Sequence, residues 1–373
     1  MRIGLLKETK NGERRVGLTP ESVHQLVNAG HVVFVQHDAG EGVGISGEQY
    51  QKVGAIVVDT AKEVITESDM IVKVKEPSLI EASLFKENQI IFCYLHLAPN
   101  PALTRVLLDK KVIGVAFETI TSKNGNPLLC PMSVVAGRMA TQIGAHLLQC
   151  SKGGRGLLIS GVPGIVPPAK VVVLGGGTVG TNAAEIAVGM GAAVIIIDNR
   201  EESLKRVKSK FGDRVDISFL TNEVLEYELT TADIAIGATH VAGALTTKVV
   251  SEELVKKMKR GSVIVDVAID QGGCFETSRV TTLSEPTFIK HGVIHYCVPN
   301  MPGDVPFTST YALNNFLLPY VLDIANKGIV QACKEDKDVC NGLHVFKGNT
   351  TNKYIAATLE NGVYVDPISL LCV

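Results

Sequence analysis

Four ionisable residues stand where short apolar runs give out: Arg15, Lys75, His96 and Asp270. Lys75 closes the run Met70-Ile71-Val72-Lys73-Val74 and precedes Glu76-Pro77. His96 follows Ile90 to Leu95 and precedes Leu97-Ala98-Pro99, while Asp270 follows Val263 to Ile269. Arg15 lies in Gly12-Glu13-Arg14-Arg15-Val16, just after the first apolar run. In open α/β sheets, ligands bind beyond the carboxyl ends of the strands, so these positions rank first. Arginine beside lysine suits a substrate carboxylate. A histidine there could exchange a proton with an amino, hydroxyl or carbonyl group. An aspartate could act as a base towards an amine or a water, or orient a charged substrate. Each type also has a plainer use: a solvated strand end, a hydrogen-bonded histidine, a turn residue before Gln271-Gly272-Gly273. Asp266, inside its run, reads as a satisfied structural carboxylate.

A second chemistry is written in Val171-Val172-Val173-Leu174-Gly175-Gly176-Gly177-Thr178-Val179-Gly180. Gly175, Gly177 and Gly180 fit G-x-G-x-x-G, with a strand before and a helix-forming run after. Asp198 closes the next strand, 18 residues past Gly180 and near the ~20 expected. Gly175 permits the tight turn, Gly177 lets a pyrophosphate approach the backbone, and Gly180 lets helix and strand pack closely. The helix N-terminus offers free N–H groups to phosphates. Asp198 would accept from ribose hydroxyls and repel a 2′-phosphate, which favours NAD over NADP. Arg200 is the opposing signal.

The elements that must carry these residues alternate between β-branched runs and helix-like stretches, the pattern of a parallel α/β architecture. The runs in the first part are Arg2 to Leu6, Val32 to Val35, Met70 to Val74, Ile90 to Tyr94 and Val112 to Ala116. Thr19-Pro20 reads as a helix cap followed by a first-turn proline, and Ala29-Gly30 as the stop. A helix is expected from about Ser133 to Gln149, then a Gly/Pro-rich connection from Gly153 to Pro168. A second series runs through Lys170 to Leu174, Ala193 to Ile197, Ile234 to Gly237, Ser262 to Val267 and Val293 to Cys297. A helix from Thr308 to about Cys333 is expected to cross back onto the first domain and to end in a polar tail. The fold class is therefore α/β. It comprises two doubly wound, Rossmann-like domains, with the nucleotide domain inserted in a discontinuous substrate domain and a cleft between them. The expected bounds are residues 1–130 and 303–373 for the substrate domain and 131–302 for the NAD domain.

The 373 residues carry a formal net charge of −2, which offers no field for nucleic acid or an anionic membrane. No apolar run approaches the ~18 residues of a membrane span. The eight cysteines have neither Cys-x-x-Cys nor zinc-ligand spacing and read as reduced, mostly buried thiols of a cytoplasmic protein. His291 and His295 are four apart but run into a strand, so they read as structural, with no metal implied.

Taken in order, several motifs resemble the alanine dehydrogenases of the alanine dehydrogenase/pyridine nucleotide transhydrogenase family, over nearly the full length. They are Lys7-Glu8 with Glu13-Arg14-Arg15-Val16, Lys73 to Pro77, Leu95-His96-Leu97-Ala98, and Pro131-Met132-Ser133 with Ala136-Gly137-Arg138. The glycine loop, Asp270 to Cys274 and Val298-Pro299-Asn300-Met301-Pro302 complete the series. The resemblance implies reversible oxidative deamination of L-alanine by NAD to pyruvate, ammonium and NADH. Arg15 and Lys75 would bind substrate; His96 and Asp270 would do the acid/base work. Ser133, Thr178, Val179, Asp198, Thr239, His240, Val267, Ala268, Ile269, Asp270, Arg279, Val298, Pro299, Asn300 and Met301 would contact NAD. A homohexamer is also implied. Val134, Asp304, Phe307 and Thr239-His240-Val241-Ala242 depart from the common family pattern. The competing readings are a related NAD(P)-dependent amino-acid dehydrogenase, a transhydrogenase-like subunit, and a catalytically silent NAD-binding protein.

Overall fold

The structure, a computed structural model, describes residues 1–123, 125–239 and 246–371. The strands in chain order are β1 (Arg2–Leu5), β2 (Val32–Gln36), β3 (Ile56–Val58), β4 (Met70–Lys75), β5 (Ile90–Tyr94) and β6 (Ile113–Ala116). There follow β7 (Lys170–Leu174), β8 (Ala193–Asp198), β9 (Asp216–Phe219), β10 (Ile234–Gly237), β11 (Val263–Asp266), β12 (Thr287–Lys290) and β13 (Val293–Tyr296). The last two are β14 (Leu343–Phe346) and β15 (Asn349–Thr350). The chain divides into two compact units, Met1–Met132 with Val305–Val373, and Ser133–Asp304.

The first unit holds an eight-stranded sheet in the order β15-β14-β6-β5-β4-β1-β2-β3. Strands β1 to β6 are parallel, and β14 and β15 join antiparallel at one edge. The parallel part has the doubly wound order 3-2-1-4-5-6, whose direction of winding switches between β1 and β4. Side chains alternate faces along a strand, and both faces here are apolar. Ile90, Phe92 and Tyr94 enter one core cluster, while Ile91, Cys93 and Leu95 enter the other. The helix Pro306–Lys327 buries Leu313, Leu317 and Val321 in the first of these clusters.

The expected helix cap holds: Thr19 accepts the Ser22 N–H at 3.4 Å and Gly30 has φ +85°. The expected polar tail does not. Two short helices follow Gly328, and β14 and β15 then extend the first sheet. Leu343, Val345 and Phe346 pair with β6 across a register shift, a partnership between distant segments that local composition does not encode.

The second unit holds a seven-stranded sheet in the order β12-β13-β11-β10-β7-β8-β9. All pairs are parallel except β12 with β13. Its order is again 3-2-1-4-5-6 with one added edge strand, and the switch falls between β7 and β10. The helix Cys130–Leu147 lies close to the helix Thr178–Gly189 in this unit because Gly137 has no side chain. A Cβ there would collide with the Val179 carbonyl. Thr141 Oγ1 donates to the Ala183 carbonyl at 2.7 Å and fastens the pair.

Candidate active site

In the first unit, the carboxyl ends of β1, β4 and β5 place Arg15, Lys75 and His96 on one edge of the sheet. Arg15 is not a solvated turn residue: it and Glu13 each have side chains only 1% exposed. Arg15 Nε and Nη2 donate to the two Glu13 carboxylate oxygens at 2.7 and 2.6 Å. Its Nη1 lies 3.0 Å from Met132 Sδ, a weak acceptor. Burial lowers the Arg15 guanidinium, but the hydrogen bonds and charge of Glu13 outweigh it and the net shift is upward. The arginine is a permanent cation here.

Lys75 is half-buried, with its ammonium 5.9 Å from the centre of the Tyr94 ring. Burial, then the charge of Arg15, pushes this ammonium below its ordinary value despite Glu13. Among the described residues no carboxylate forms an ion pair with it. An anion arriving here would relieve both effects, which makes the edge a fit for a carboxylate. Tyr94 is fixed below by donating to the Leu128 carbonyl at 2.5 Å.

His96 does not end its strand; β5 stops at Tyr94, and His96 follows in the left-handed region with φ +42°. Its side chain is exposed and stacks at 6.2 Å on Tyr94. The Leu95 and His96 amides donate to the two oxygens of Glu118 at 3.2 and 2.8 Å. Sequence reasoning passed over Glu8, Glu13, Tyr94 and Glu118. The strand-end rule applied to β6 would have found Glu118, and i, i+2 spacing in an extended segment would have paired Glu13 with Arg15.

In the second unit the glycine turn behaves as its sequence demands. Gly175 has φ +108°, and a Cβ there would meet the Ala238 carbonyl oxygen at 2.6 Å. A Cβ on Gly180 would collide with the Gly175 carbonyl and reach 3.0 Å from Val173. A Cβ on Gly177 would meet nothing within 4 Å, so that backbone faces open space at the N-terminus of Thr178–Gly189. Asp198 closes β8, accepting the Gly176 N–H at 2.7 Å and the Arg200 N–H at 2.8 Å. Its Oδ1 also takes the Arg200 Nε at 3.4 Å, and Oδ2 keeps a second lone pair for a hydroxyl. An open glycine, helix-end amides with no side-chain cap among the described residues, and a carboxylate at the next strand end fit a dinucleotide.

The other expected cofactor residues follow the carboxyl ends of neighbouring strands. Thr239 comes after β10, Val267 to Asp270 after β11, and Val298 to Met301 after β13. Ser133 and Val134 lie half-buried in the helix Cys130–Leu147, and Thr178 and Val179 open the next one. Arg279 stacks over the Phe288 ring at 4.4 Å, on the antiparallel edge strand β12. His240, Val241 and Ala242 lie outside the described residues.

Asp270 corrects the sequence reading in position. β11 ends at Asp266, and Asp270 sits exposed in a short helical turn, Val267–Gln271. Asp266, at the end of β11, is buried. It accepts Ser278 Oγ at 2.7 Å and the Cys274 N–H at 3.0 Å, tying down the segment after Gly273. Asp270 itself takes the Asn300 N–H at 3.3 and 3.4 Å. His295 is buried between Thr277 Oγ1 and the Val293 carbonyl and stacks on Phe288. Phe307 is 61% exposed against Tyr311, at 4.8 Å between ring centres.

Fold and site together define a two-unit, nucleotide-binding α/β protein of the dehydrogenase class. Two family descriptions match the chain: "Alanine dehydrogenase/PNT, N-terminal domain" over residues 4–136 and "Alanine dehydrogenase/PNT, C-terminal domain" over residues 140–353. The chain belongs to the alanine dehydrogenase/PNT family, as its motifs implied. It is 51% identical to an alanine dehydrogenase of Methanococcus maripaludis over 358 residues, covering 95% of this chain and 96% of the relative. It is 48% identical to alanine dehydrogenase 2 of Staphylococcus aureus, covering 96% and 97%. A solved L-alanine dehydrogenase superposes with a TM-score of 0.93 at 46% identity, over 96% of this chain and 99% of the other. A transhydrogenase from Sinorhizobium meliloti, 22% identical with a TM-score of 0.82, shares the fold. No helix among the described residues is long and apolar enough to cross a membrane.

Proposed function

We propose that the protein is an NAD-dependent L-alanine dehydrogenase. The reaction takes L-alanine, NAD and water to pyruvate, ammonium, NADH and a proton, and runs in both directions. The observation that carries the reading is the strand-end cluster of Arg15, Lys75 and His96, in a chain about half identical to alanine dehydrogenases along nearly its whole length.

Bound NAD supplies the hydride acceptor and NADH the donor. Arg15 and Lys75 hold the substrate carboxylate, the arginine set rigidly by Glu13 and the lysine drawn to an anion by its own burial. In deamination the substrate ammonium must lose a proton before a hydride leaves Cα. Water then adds to the resulting iminium carbon. His96 and Asp270 move protons between the amine, the added water and solvent until ammonium departs. Asp198 accepts from the adenosine ribose and selects NAD over NADP. The Thr178–Gly189 helix end and Gly177 receive the pyrophosphate. By the same family resemblance the enzyme works in the cytoplasm as a homohexamer, without nucleic acid or membrane partners.

The test is spectrophotometric. NADH oxidation is followed with a panel of 2-keto acids, with and without ammonium. Oxidation that requires both pyruvate and ammonium is the expected result. Oxidation by a keto acid alone, or NADH binding with no turnover on any of them, overturns the proposal.

A further inference from the structure

One device occurs twice on the same edge of the first sheet. Glu8 Oε1 accepts the Val74 N–H at 2.6 Å and its Oε2 accepts the Lys75 N–H at 3.3 Å. Glu118 does the same for the Leu95 and His96 amides, at 3.2 and 2.8 Å. Both strands are irregular at these points. The β4–β5 pairing shifts register between Val72 and Lys75, and His96 takes a left-handed backbone that non-glycine residues seldom adopt. Amides that leave a ladder need other acceptors. Here a single carboxylate takes two consecutive ones, a charge-assisted arrangement stronger than neutral hydrogen bonds.

Both carboxylates are themselves anchored. The Glu8 side chain is 2% exposed and lies 3.7 Å from the buried Lys73 ammonium, which also pairs with Glu81 at 3.0 Å. Glu118 rides on the turn Phe117–Thr119. Asn126 Nδ2 donates to its backbone carbonyl at 3.1 Å, and Thr119 Oγ1 meets His344 Nε2 at 2.9 Å. His344 is buried at the start of β14, so the late-added strand braces the turn that carries Glu118.

We infer that Glu8 and Glu118 are positioning residues, Glu8 gripping the last two amides of β4 and Glu118 the two amides just past β5, and so fixing where Lys75 and His96 point. The inference rests on the dehydrogenase reading and assigns the reason its side chains are held in register. A displacement of about 1 Å is enough to cost about 100-fold in rate, so the backbone beneath His96 matters as much as the ring.

The wild-type enzyme is assayed first with NADH, pyruvate and ammonium, then Glu118→Gln and Glu8→Gln. Glutamine keeps the shape but can accept only one of the two amides, because its Nε2 is a donor. Glu118→Gln is expected to lower kcat by at least about tenfold with pyruvate KM little changed. Glu8→Gln is expected to raise pyruvate KM by a similar factor. NADH affinity should stay near wild type in both, and so should the melting temperature of Glu118→Gln; Glu8→Gln, which removes a charge beside buried Lys73, is expected to melt lower. Should Glu8→Gln fail to fold around the buried Lys73, Glu118→Gln decides alone. A Glu118→Gln enzyme with wild-type kcat overturns the inference, as does loss of activity only in step with loss of melting temperature and NADH binding. A wild type without ammonium-dependent turnover overturns the functional reading itself, and the inference with it.

Discussion

Arg15 and Glu13, two residues apart, face the same way and form a two-pronged ion pair sealed from solvent, at 2.6 and 2.7 Å. Breaking one partner of a buried pair leaves a charge without compensation and costs about 3–5 kcal/mol. Glu13→Gln should therefore lower the melting temperature clearly and raise pyruvate KM, since the guanidinium is no longer held. Burial alone would raise the Glu13 carboxyl, but Arg15 brings it below its ordinary 4.5. The stabilisation is thus complete above pH 4.5 and is lost as pH falls further. A melting series from pH 6 downward in wild type and Glu13→Gln checks both points. Equal melting temperatures for the two proteins would contradict the pairing.

His96→Ala and Asp270→Asn should each reduce kcat/KM by at least about 100-fold, the scale of lost acid/base catalysis. NADH binding, read by fluorescence titration, should persist in both variants. Near-normal turnover in either would remove that residue from the acid/base role.

Asp198→Gly should weaken discrimination against NADP. The carboxylate lies at the end of β8 with Gly176 and Arg200 amides on its oxygens, and removing it frees the Arg200 side chain for a 2′-phosphate. The ratio of kcat/KM for NAD and NADP is the measurement. An unchanged ratio would deny Asp198 the ribose contact.

His295 provides a second pH signature. Burial pushes its imidazole down to about 4, from an ordinary 6.5. The unfolded chain then takes up a proton that the folded one refuses, so stability falls as pH drops from 6.5 towards 4, by about 3 kcal/mol for this one group. Buried His344 is shifted in the same direction. His295→Gln should flatten the decline in melting temperature between pH 7 and 5, though its absolute stability at pH 7 should be lower.

The parallel strands and the glycine turn were legible in the sequence because they rest on local signals: β-branched runs, a Gly pattern, an aspartate at the right distance. The edge strands were not. Asp216–Phe219 and Thr287–Lys290 are short and half-exposed, and β14 finds its partner β6 more than two hundred residues away. Among the candidate site residues, the strand-end rule picked out Arg15, Lys75, His96 and Asp270, of which the structure places Arg15, Lys75 and His96 at one edge of the first sheet and Asp270 in a turn beyond β11. It passed over Glu118 and Glu13, which the end of β6 and the i, i+2 spacing to Arg15 signalled, and it missed Glu8, since nothing in the sequence tells that this glutamate faces a neighbouring strand's amides. The strand β11 and the satisfied carboxylate of Asp266 were legible; the helical turn Val267–Gln271 that carries Asp270 beyond the strand was not.

On the proposed function, this chain moves a hydride to the α-carbon of an imine derived from pyruvate. NADH deuterated at the transferable C4 position, incubated with the enzyme, pyruvate and ammonium, tests it directly. L-alanine carrying one deuterium at Cα is expected, with no labelled product when ammonium is omitted. Deuterium in lactate, or none in any product of pyruvate, would contradict it.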